Sequence, residues 1–81
     1  MHNVRLTLSA KEDLESIPDP VKQLVGNFLT ALQDDPFPVG VKKLEAADSY
    51  RALCGEFKIL YTEHADEIVI CAIRRIEDIY G

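Results

Sequence analysis

Residues 50–73 read YRALCGEFKILYTEHADEIVICAI, and they carry the strongest pattern of secondary structure in the chain. It divides into three apolar runs and two intervening turns, which are residues 50–54, 55–56, 57–62, 64–67 and 68–73. Short apolar and aromatic runs separated by such turns are typical of β-hairpins. The last run is almost continuously apolar, which favours a strand in the middle of a sheet. The stretch therefore predicts three consecutive, mostly antiparallel strands.

The first part of the chain predicts one strand and two helices. Residues 4–8 alternate between apolar and polar side chains, as a half-buried strand does. Ser9 followed by Glu12 forms a capping-box pattern, which predicts a short helix that ends at Pro18. Asp19-Pro20 then predicts the start of a second helix. Its apolar positions recur at helical spacing and are Val21, Leu24, Val25, Phe28, Leu29 and Leu32.

Together these elements predict an α+β fold in the order β-α-α-β-β-β. Residues 34–40 contain two prolines and a glycine, so we expect a rigid loop between the helices and the remaining strands. Only a few residues join the two helices, which predicts a helical hairpin packed on one face of a small, mostly antiparallel sheet. The length of 81 residues predicts a single domain over residues 1–81.

Charge limits the kinds of partner that the chain can bind. Nine lysines and arginines stand against fourteen aspartates and glutamates, giving a formal net charge of −5. Non-specific binding to nucleic acid depends on phosphate contacts from basic side chains, so a generic nucleic-acid coat is excluded. Any action on RNA or DNA must therefore use a local basic patch on an acidic protein.

Other classes of protein are excluded by missing features. The sequence has no apolar run near the ~18 residues of a membrane span and no N-terminal signal-like stretch, which predicts a cytoplasmic protein without membrane contact. Cys54 and Cys71 lie in apolar runs and are expected to be buried thiols. His2 is expected to be a frayed terminal residue and His64 a turn residue. Because no Cys or His ligands are closely spaced, we expect no metal site.

Short stretches that run in order along nearly the whole chain resemble a known family. They are Val4-Arg5-Leu6-Thr7, Asp13-Leu14, Ile17-Pro18, residues 35–44, Tyr50-Arg51, residues 55–61, Ala72-Ile73-Arg74-Arg75 and Ile79-Tyr80. The sequence resembles the RelE/ParE superfamily of toxins from bacterial and archaeal type II toxin–antitoxin systems. The resemblance implies a RelE-like fold and a cognate antitoxin that wraps the toxin and silences it.

The RelE-like branch of this superfamily implies an enzyme. Its members are mRNA endoribonucleases (mRNA interferases) that act at the ribosome, inhibit translation and use neither a metal ion nor another cofactor. By position, Arg51, Lys58 and Arg74 resemble the cationic residues of the RelE-type catalytic site, and Tyr80 resembles its C-terminal tyrosine. Three further cations are candidate substrate-binding residues, namely Lys42, Lys43 and Arg75.

These residue types suit RNA cleavage without a metal. The 2′-hydroxyl must lose a proton, the scissile phosphate must gain charge stabilisation, and the leaving oxygen must be protonated. Arginine and lysine can serve the phosphate, and a tyrosine near cations could act as the base. Strand parity places Arg51 with Leu53, and Lys58 with Leu60, away from the residues that would face the helices. Those residues are Phe57, Ile59 and Tyr61.

Other interpretations remain open on the sequence alone. Arg51 could pair with Glu56 or Glu63, and Arg74-Arg75 could pair with Glu77 or Asp78. Leu53 stands where RNA-cleaving members carry a second lysine, and Lys58 stands where arginine is usual. A non-catalytic binding module is therefore the alternative, either a ParE-like DNA gyrase inhibitor or an inactive relative that only binds an antitoxin. A regulatory domain with no toxic effect is a third interpretation.

Overall fold

A computed structural model describes residues 2–46 and 48–79 of the chain. The predicted element order is confirmed, with one additional short strand. The elements are β1 (Asn3–Leu6), α1 (Leu8–Glu15), α2 (Val21–Ala31), β2 (Lys42–Lys43), β3 (Ser49–Cys54), β4 (Phe57–His64), β5 (Glu67–Arg75) and a 3₁₀ turn (Ile76–Ile79). No helix in this part of the chain is long and apolar enough to cross a membrane.

The five strands form one sheet in the order β1-β5-β4-β3-β2. β1 pairs with β5 in parallel, and the other three pairs are antiparallel. The predicted α+β fold with a mostly antiparallel sheet is therefore confirmed. β5 and β4 lie in the interior of the sheet, which agrees with the continuous apolar run of the last strand.

Both predicted hairpin turns are present, but the second is shorter than the predicted residues 64–67. His64 is the last residue of β4 and pairs with Glu67 of β5, so the expectation that His64 is a turn residue is wrong. Cys54 pairs with Phe57, so Gly55 and Glu56 alone connect β3 to β4. Gly55 has a φ of 60°, a left-handed conformation that glycine adopts without steric cost. The β4–β5 turn uses Ala65 and Asp66, both with positive φ, between the paired ends of the two strands.

The predicted start of the first helix is wrong by two residues. Residues 4–8 do not all belong to a strand, because β1 ends at Leu6 and α1 begins at Leu8. Thr7, not Ser9, is the N-cap, and its Oγ1 accepts a hydrogen bond from the backbone N–H of Ala10 at 3.1 Å. A threonine hydroxyl caps a helix in the same way as a serine hydroxyl, so Thr7 and Ser9 are both suitable N-cap residues by type.

The second helix also begins differently from the prediction. Pro20 is the N-cap residue of α2 and provides no side-chain hydrogen bond, so Asp19 does not cap this helix. The predicted apolar stripe is only partly buried. Val25 and Leu29 lie in the core, whereas Leu24 is 60% exposed and Val21 is 39% exposed.

A single apolar core lies between the two helices and one face of the sheet. Its buried members are Ala10, Ile17, Val25, Leu29, Leu32, Ala52, Phe57, Ile59, Tyr61, Ile68, Ile70 and Ile73. We call the helix-packed side of the sheet the covered face and the other side the open face. Alternate residues of β4 belong to the two faces, so the predicted inward set of Phe57, Ile59 and Tyr61 is confirmed.

A register shift in β5 changes which of its side chains reach each face. Leu60 pairs with Ala72, but Tyr61 pairs with Ile70, which leaves Cys71 as an extra residue. Beyond such a bulge, every residue of the strand lies on the sheet face opposite to the one that simple alternation predicts. Ile70 and Ile73 are consequently both buried on the covered face, and Arg74 lies on the open face opposite Lys58.

Candidate functional site

Two pairs of opposed cations lie on the open face. Lys42 of β2 is opposite Arg51 of β3, and Lys58 of β4 is opposite Arg74 of β5. Directly opposed residues on one face have Cβ atoms about 5 Å apart, and diagonal neighbours are separated by roughly 7–8 Å. The pairing of Arg51 with Leu60 makes Arg51 a diagonal neighbour of Lys58. We call Lys42, Arg51, Lys58 and Arg74 the cationic patch.

Most of the cationic patch lacks a counter-charge among the described side chains, which are those of residues 2–46 and 48–77. Lys42, Arg51 and Lys58 make no ion pair there. The sequence alternative that paired Arg51 with Glu56 or Glu63 is wrong. Like charges directly opposed on a sheet are destabilising. An anion bound at the patch would remove this repulsion.

The two acids proposed as partners of Arg51 bind other cations. Oε2 of Glu63 lies 3.1 Å from Nε2 of His2, and Oε2 of Glu56 lies 3.5 Å from Nη1 of Arg75. Both acids therefore lie outside the cationic patch.

Arg74 is the one patch residue with an ion pair to the described part of the chain. Its Nε donates a hydrogen bond to Oδ2 of Asp13 in α1 at 3.2 Å. The same oxygen accepts the backbone N–H of Ile73 at 3.1 Å. The predicted pairing of Arg74 and Arg75 with Glu77 is wrong, since their partners are Asp13 and Glu56. The side chain of Asp78, the other acid of that alternative, lies outside the described residues. Sequence reasoning noted Asp13 as part of a matching stretch but gave it no role.

Lys43 and Arg75 belong to the opposite side of the sheet from the patch. Lys43 pairs with Tyr50, and its Nζ lies 5.7 Å from the centroid of that ring. Arg75 pairs with buried Phe57, and its guanidinium carbon lies 5.2 Å from the ring centroid. The structure thus separates the six described candidate residues into four on the open face and two against aromatic rings.

The architecture has close counterparts among solved structures. An archaeal RelE–RelB complex from Pyrococcus horikoshii OT3 matches with a TM-score of 0.82 and 24% identity, over 91% of this chain and 93% of that chain. The RelBE2 toxin–antitoxin complex from Mycobacterium tuberculosis matches with a TM-score of 0.79 and 26% identity, over 91% and 96% of the two chains. The chain has the RelE/ParE toxin fold. The resemblance seen in the sequence is thereby confirmed across nearly the whole chain.

The comparisons do not separate the branches of this fold. A chromosomal ParDE system from Pseudomonas aeruginosa matches with a TM-score of 0.78 and 19% identity, over 94% of this chain and 97% of that chain. No protein-family model matches the sequence, and no curated protein does.

The phenols of this RelE/ParE fold differ in their suitability as a base. Tyr80, the predicted catalytic tyrosine, lies outside the described residues. Tyr61 is buried in the core, and its hydroxyl donates a 2.6 Å hydrogen bond to the carbonyl oxygen of Pro36. Burial, together with nearby negative charge, raises the pKa of Tyr61 to about 12. Tyr61 therefore remains protonated near neutral pH and serves the fold.

The cysteines are less buried than the sequence predicts. Cys54 is half-buried, and burial raises the pKa of its thiol above the ordinary value. Cys71 is exposed, because the β5 bulge takes it out of the alternation that buries Ile70. Neither cysteine is a fully buried thiol, so this prediction is wrong.

One group of side chains in the described residues has the donors of a metal site. Single ligand atoms of His2, Glu63 and Asp66 lie within 4.8 Å of one another. His2 is held there by its backbone N–H, which donates to the carbonyl of Gln33 at 2.9 Å, so the expectation of a frayed terminal residue is wrong. Nε2 of His2 lies 3.1 Å from Oε2 of Glu63 and 3.8 Å from Oδ1 of Asp66, so the imidazole and the two carboxylates contact one another directly. It lies at the other end of β4 from Lys58.

Proposed function

We propose that this protein is the toxin of a type II toxin–antitoxin system and cleaves messenger RNA at the ribosome. The observation that carries the proposal is the cationic patch, in which two opposed pairs of cations occupy the open face of an otherwise acidic protein. A phosphodiester backbone is the ligand that such a patch suits, since each phosphate can neutralise one of these charges. The RelE members among the structural matches support the same assignment.

The proposed chemistry assigns each candidate residue a part of the reaction. The 2′-oxygen of the RNA attacks the adjacent phosphorus, the bond to the 5′-oxygen breaks, and a 2′,3′-cyclic phosphate forms. Arg51 and Lys58 stabilise the charge that develops on the phosphate oxygens, and Arg74 neutralises the scissile phosphate from the neighbouring strand. Tyr80, as its phenolate, accepts the 2′-hydroxyl proton, and the Lys58 ammonium donates a proton to the leaving 5′-oxygen. Solvent then transfers the proton from the phenol to the lysine amine, which restores both groups.

Three further cations complete the proposed substrate contacts. Lys42 extends the patch across β2, where it would contact a neighbouring phosphate. Lys43 and Arg75 lie at the edge of the covered face, so we propose that they contact only those parts of the substrate that extend around the sheet. This proposal makes their expected effects smaller than those of Arg51 and Lys58.

The experiment is induced expression in a bacterial host with transcript mapping. Wild-type protein is expected to arrest growth and to leave transcripts with new ends inside coding regions. The double substitution Arg51→Ala/Lys58→Ala should abolish both effects, whereas Lys11→Ala, which removes an exposed cation from α1, should preserve them. Growth arrest with intact transcripts would contradict the ribonuclease proposal.

Inhibition of DNA gyrase is the second candidate function. Leu53 lies opposite Lys58 on the open face, and 52% of it is exposed. An exposed apolar side chain among cations is suited to contact with a partner protein such as gyrase. The ParDE match supports the same alternative. A supercoiling assay with purified gyrase separates the two functions, because loss of supercoiling without cleaved transcripts favours gyrase.

We further propose that a cognate antitoxin binds this protein. Several structural matches are toxin–antitoxin complexes, including those from Pyrococcus horikoshii and Methanococcus jannaschii. Leu8, Leu24 and Val39 are well exposed and provide apolar contact positions. Because the toxin carries a net charge of −5, we expect apolar anchors or basic residues in the wrapping segment. An antitoxin segment that is strongly acidic and binds chiefly through charge would contradict this expectation.

A further inference from the structure

The contact between Asp13 and Arg74 links a helix of the covered face to a cation of the open face. Asp13 belongs to α1, and Arg74 is near the end of β5, beyond the part of that strand that pairs with β1. Oδ2 of Asp13 accepts both the backbone N–H of Ile73 and the Nε of Arg74. The backbone bond anchors the carboxylate to β5, and the second bond holds the guanidinium.

The geometry leaves most of the arginine free. A guanidinium has five N–H donors, and only the Nε donor binds Asp13. Nη1 and Nη2 make no ion pair or hydrogen bond to the described side chains of residues 2–46 and 48–77, and 52% of the Arg74 side chain is exposed. The Asp13 side chain is only 20% exposed, so the anchor itself is sheltered from solvent.

The position of Lys58 explains why the orientation of the Arg74 guanidinium matters for binding. The two like charges face each other across β4 and β5, and without an anchor the flexible arginine would turn away from Lys58. Asp13 offsets the repulsion and restricts the rotation of the guanidinium. Four remaining N–H donors can then meet a phosphate that Lys58 also contacts, without the loss of side-chain entropy that a free arginine would incur on binding.

We infer that Asp13 is a positioning residue, which orients the Nη atoms of Arg74 toward a phosphodiester oxygen beside Lys58. The inference rests on the proposed function for its ligand, since it takes Arg74 to be a phosphate-binding residue. Asp13 touches no substrate and acts only through Arg74. It therefore extends the site from the open face to a residue of α1.

The test measures binding rather than cleavage. The probe is a fluorescent single-stranded DNA oligonucleotide, which lacks the 2′-hydroxyl and cannot be cleaved by the proposed reaction, and affinity is followed by fluorescence anisotropy at low salt. The variants are Asp13→Ala, Asp13→Asn, Arg74→Ala and the double variant Asp13→Ala/Arg74→Ala. Thermal unfolding verifies that each one is folded at the temperature of the assay.

The expected change in DNA affinity for Asp13→Ala is opposite in direction to the change that net charge alone predicts. Removing any carboxylate makes the protein less acidic, so long-range electrostatics predicts slightly tighter DNA binding for Asp13→Ala. Positioning predicts the opposite, a weakening of about tenfold, which is the scale of one charge-assisted hydrogen bond. Glu15→Ala is the matched control, because Glu15 lies on the same helix and pairs with Lys22 instead. Its affinity should stay equal to or slightly above that of wild type.

Two further comparisons separate positioning from a structural effect. In the Arg74→Ala background, Asp13→Ala should cause no additional loss, because its effect passes through the arginine. Asp13→Asn keeps an oxygen acceptor and should restore most of the affinity. Equal losses in both backgrounds, an unchanged Asp13→Ala affinity, or a wild-type protein that does not bind the probe would each overturn the inference.

The inference and the proposed function can fail separately. Cleaved transcripts together with an unaltered Asp13→Ala affinity would overturn the role of Asp13 alone. Non-additive binding losses together with intact transcripts would support the phosphate site and overturn the ribonuclease proposal.

Discussion

The two faces of β4 differ in the kind of side chain that they carry. Ile59 points to the covered face and is fully buried, whereas its neighbours Lys58 and Leu60 point to the open face and are half-exposed. The covered face receives apolar side chains from both helices and no buried polar or charged residue is found in the described part of the chain. The open face carries opposed cations that repel one another.

This difference separates the residues that stabilise the fold from those of the proposed phosphate site. Burial of apolar area on the covered face supplies the free energy that the fold requires. The open face can then retain unfavourable like-charge pairs, whose repulsion the proposed polyanion would relieve. Substitutions on the two faces should accordingly affect different measurements.

The largest expected effect is on the covered face. Ile59→Ala removes a fully buried side chain and should lower the free energy of unfolding by about 2–5 kcal/mol, a large fraction of the stability of so small a protein. Leu60→Ala, the adjacent open-face control, should cost about 1 kcal/mol or less. Urea unfolding measures both. If Ile59→Ala unfolds the protein, Ile59→Val should still show a loss of about 0.5–1.5 kcal/mol.

Much of the covered face could be predicted from the sequence. The alternation of Phe57, Ile59 and Tyr61 and the two turns were sufficient, because strand parity and turn chemistry are local properties. The helix stripe was predicted less well. Helical spacing identifies an apolar side, but it does not say how far the sheet extends beneath it, so Leu24 belongs to the predicted stripe although it is exposed.

The arrangement of the open face could not be predicted from the sequence, because it depends on pairing between distant residues. β2 consists of two lysines without any apolar alternation and exists because it pairs with the edge of β3. The bulge at Cys71 places Arg74 opposite Lys58, and simple parity along β5 would have placed it with buried Ile70. The Asp13 contact joins residues 61 positions apart, which no local pattern reveals.

The second prediction concerns the salt dependence of binding to a single-stranded oligonucleotide. If the four patch cations each neutralise one phosphate, log K should fall with log salt with a slope of roughly −3, or about 50-fold between 50 and 200 mM salt. Lys58→Gln should reduce the magnitude of the slope by roughly 0.7. Lys11→Gln, on α1, should leave it unchanged. An equal change for both variants would show that net charge, rather than the open face, governs binding.

The third prediction returns to the covered face. Tyr61→Phe removes the hydrogen bond to the carbonyl of Pro36 and should cost about 1–2 kcal/mol. Tyr50→Phe is the control, because the Tyr50 hydroxyl makes no hydrogen bond to the described residues, although its ring stacks on Tyr61 at 5.7 Å. Urea unfolding of the two variants at neutral pH provides the comparison.

The Tyr61 phenol should also make the free energy of unfolding decrease at alkaline pH. Burial raises the pKa of Tyr61 from 10.0 to about 12, so the folded state favours the neutral phenol. Its contribution is fully present below pH 10 and is lost as the pH rises toward 12, because the unfolded chain releases the proton first. Tyr61→Phe should flatten this part of the stability profile. An unchanged decline in Tyr61→Phe would assign the alkaline sensitivity to other groups.

The smallest expected effect tests the border between the faces. Arg75 lies over the Phe57 ring and pairs with exposed Glu56, so Arg75→Ala should lower the free energy of unfolding by about 0.5–1 kcal/mol. Its loss of oligonucleotide affinity should be smaller than that of Arg51→Ala, since its side chain is directed to the covered face. An equal loss of affinity would mean that the bound strand extends around the end of β5, and the phosphate-binding surface would then include both sides of the sheet.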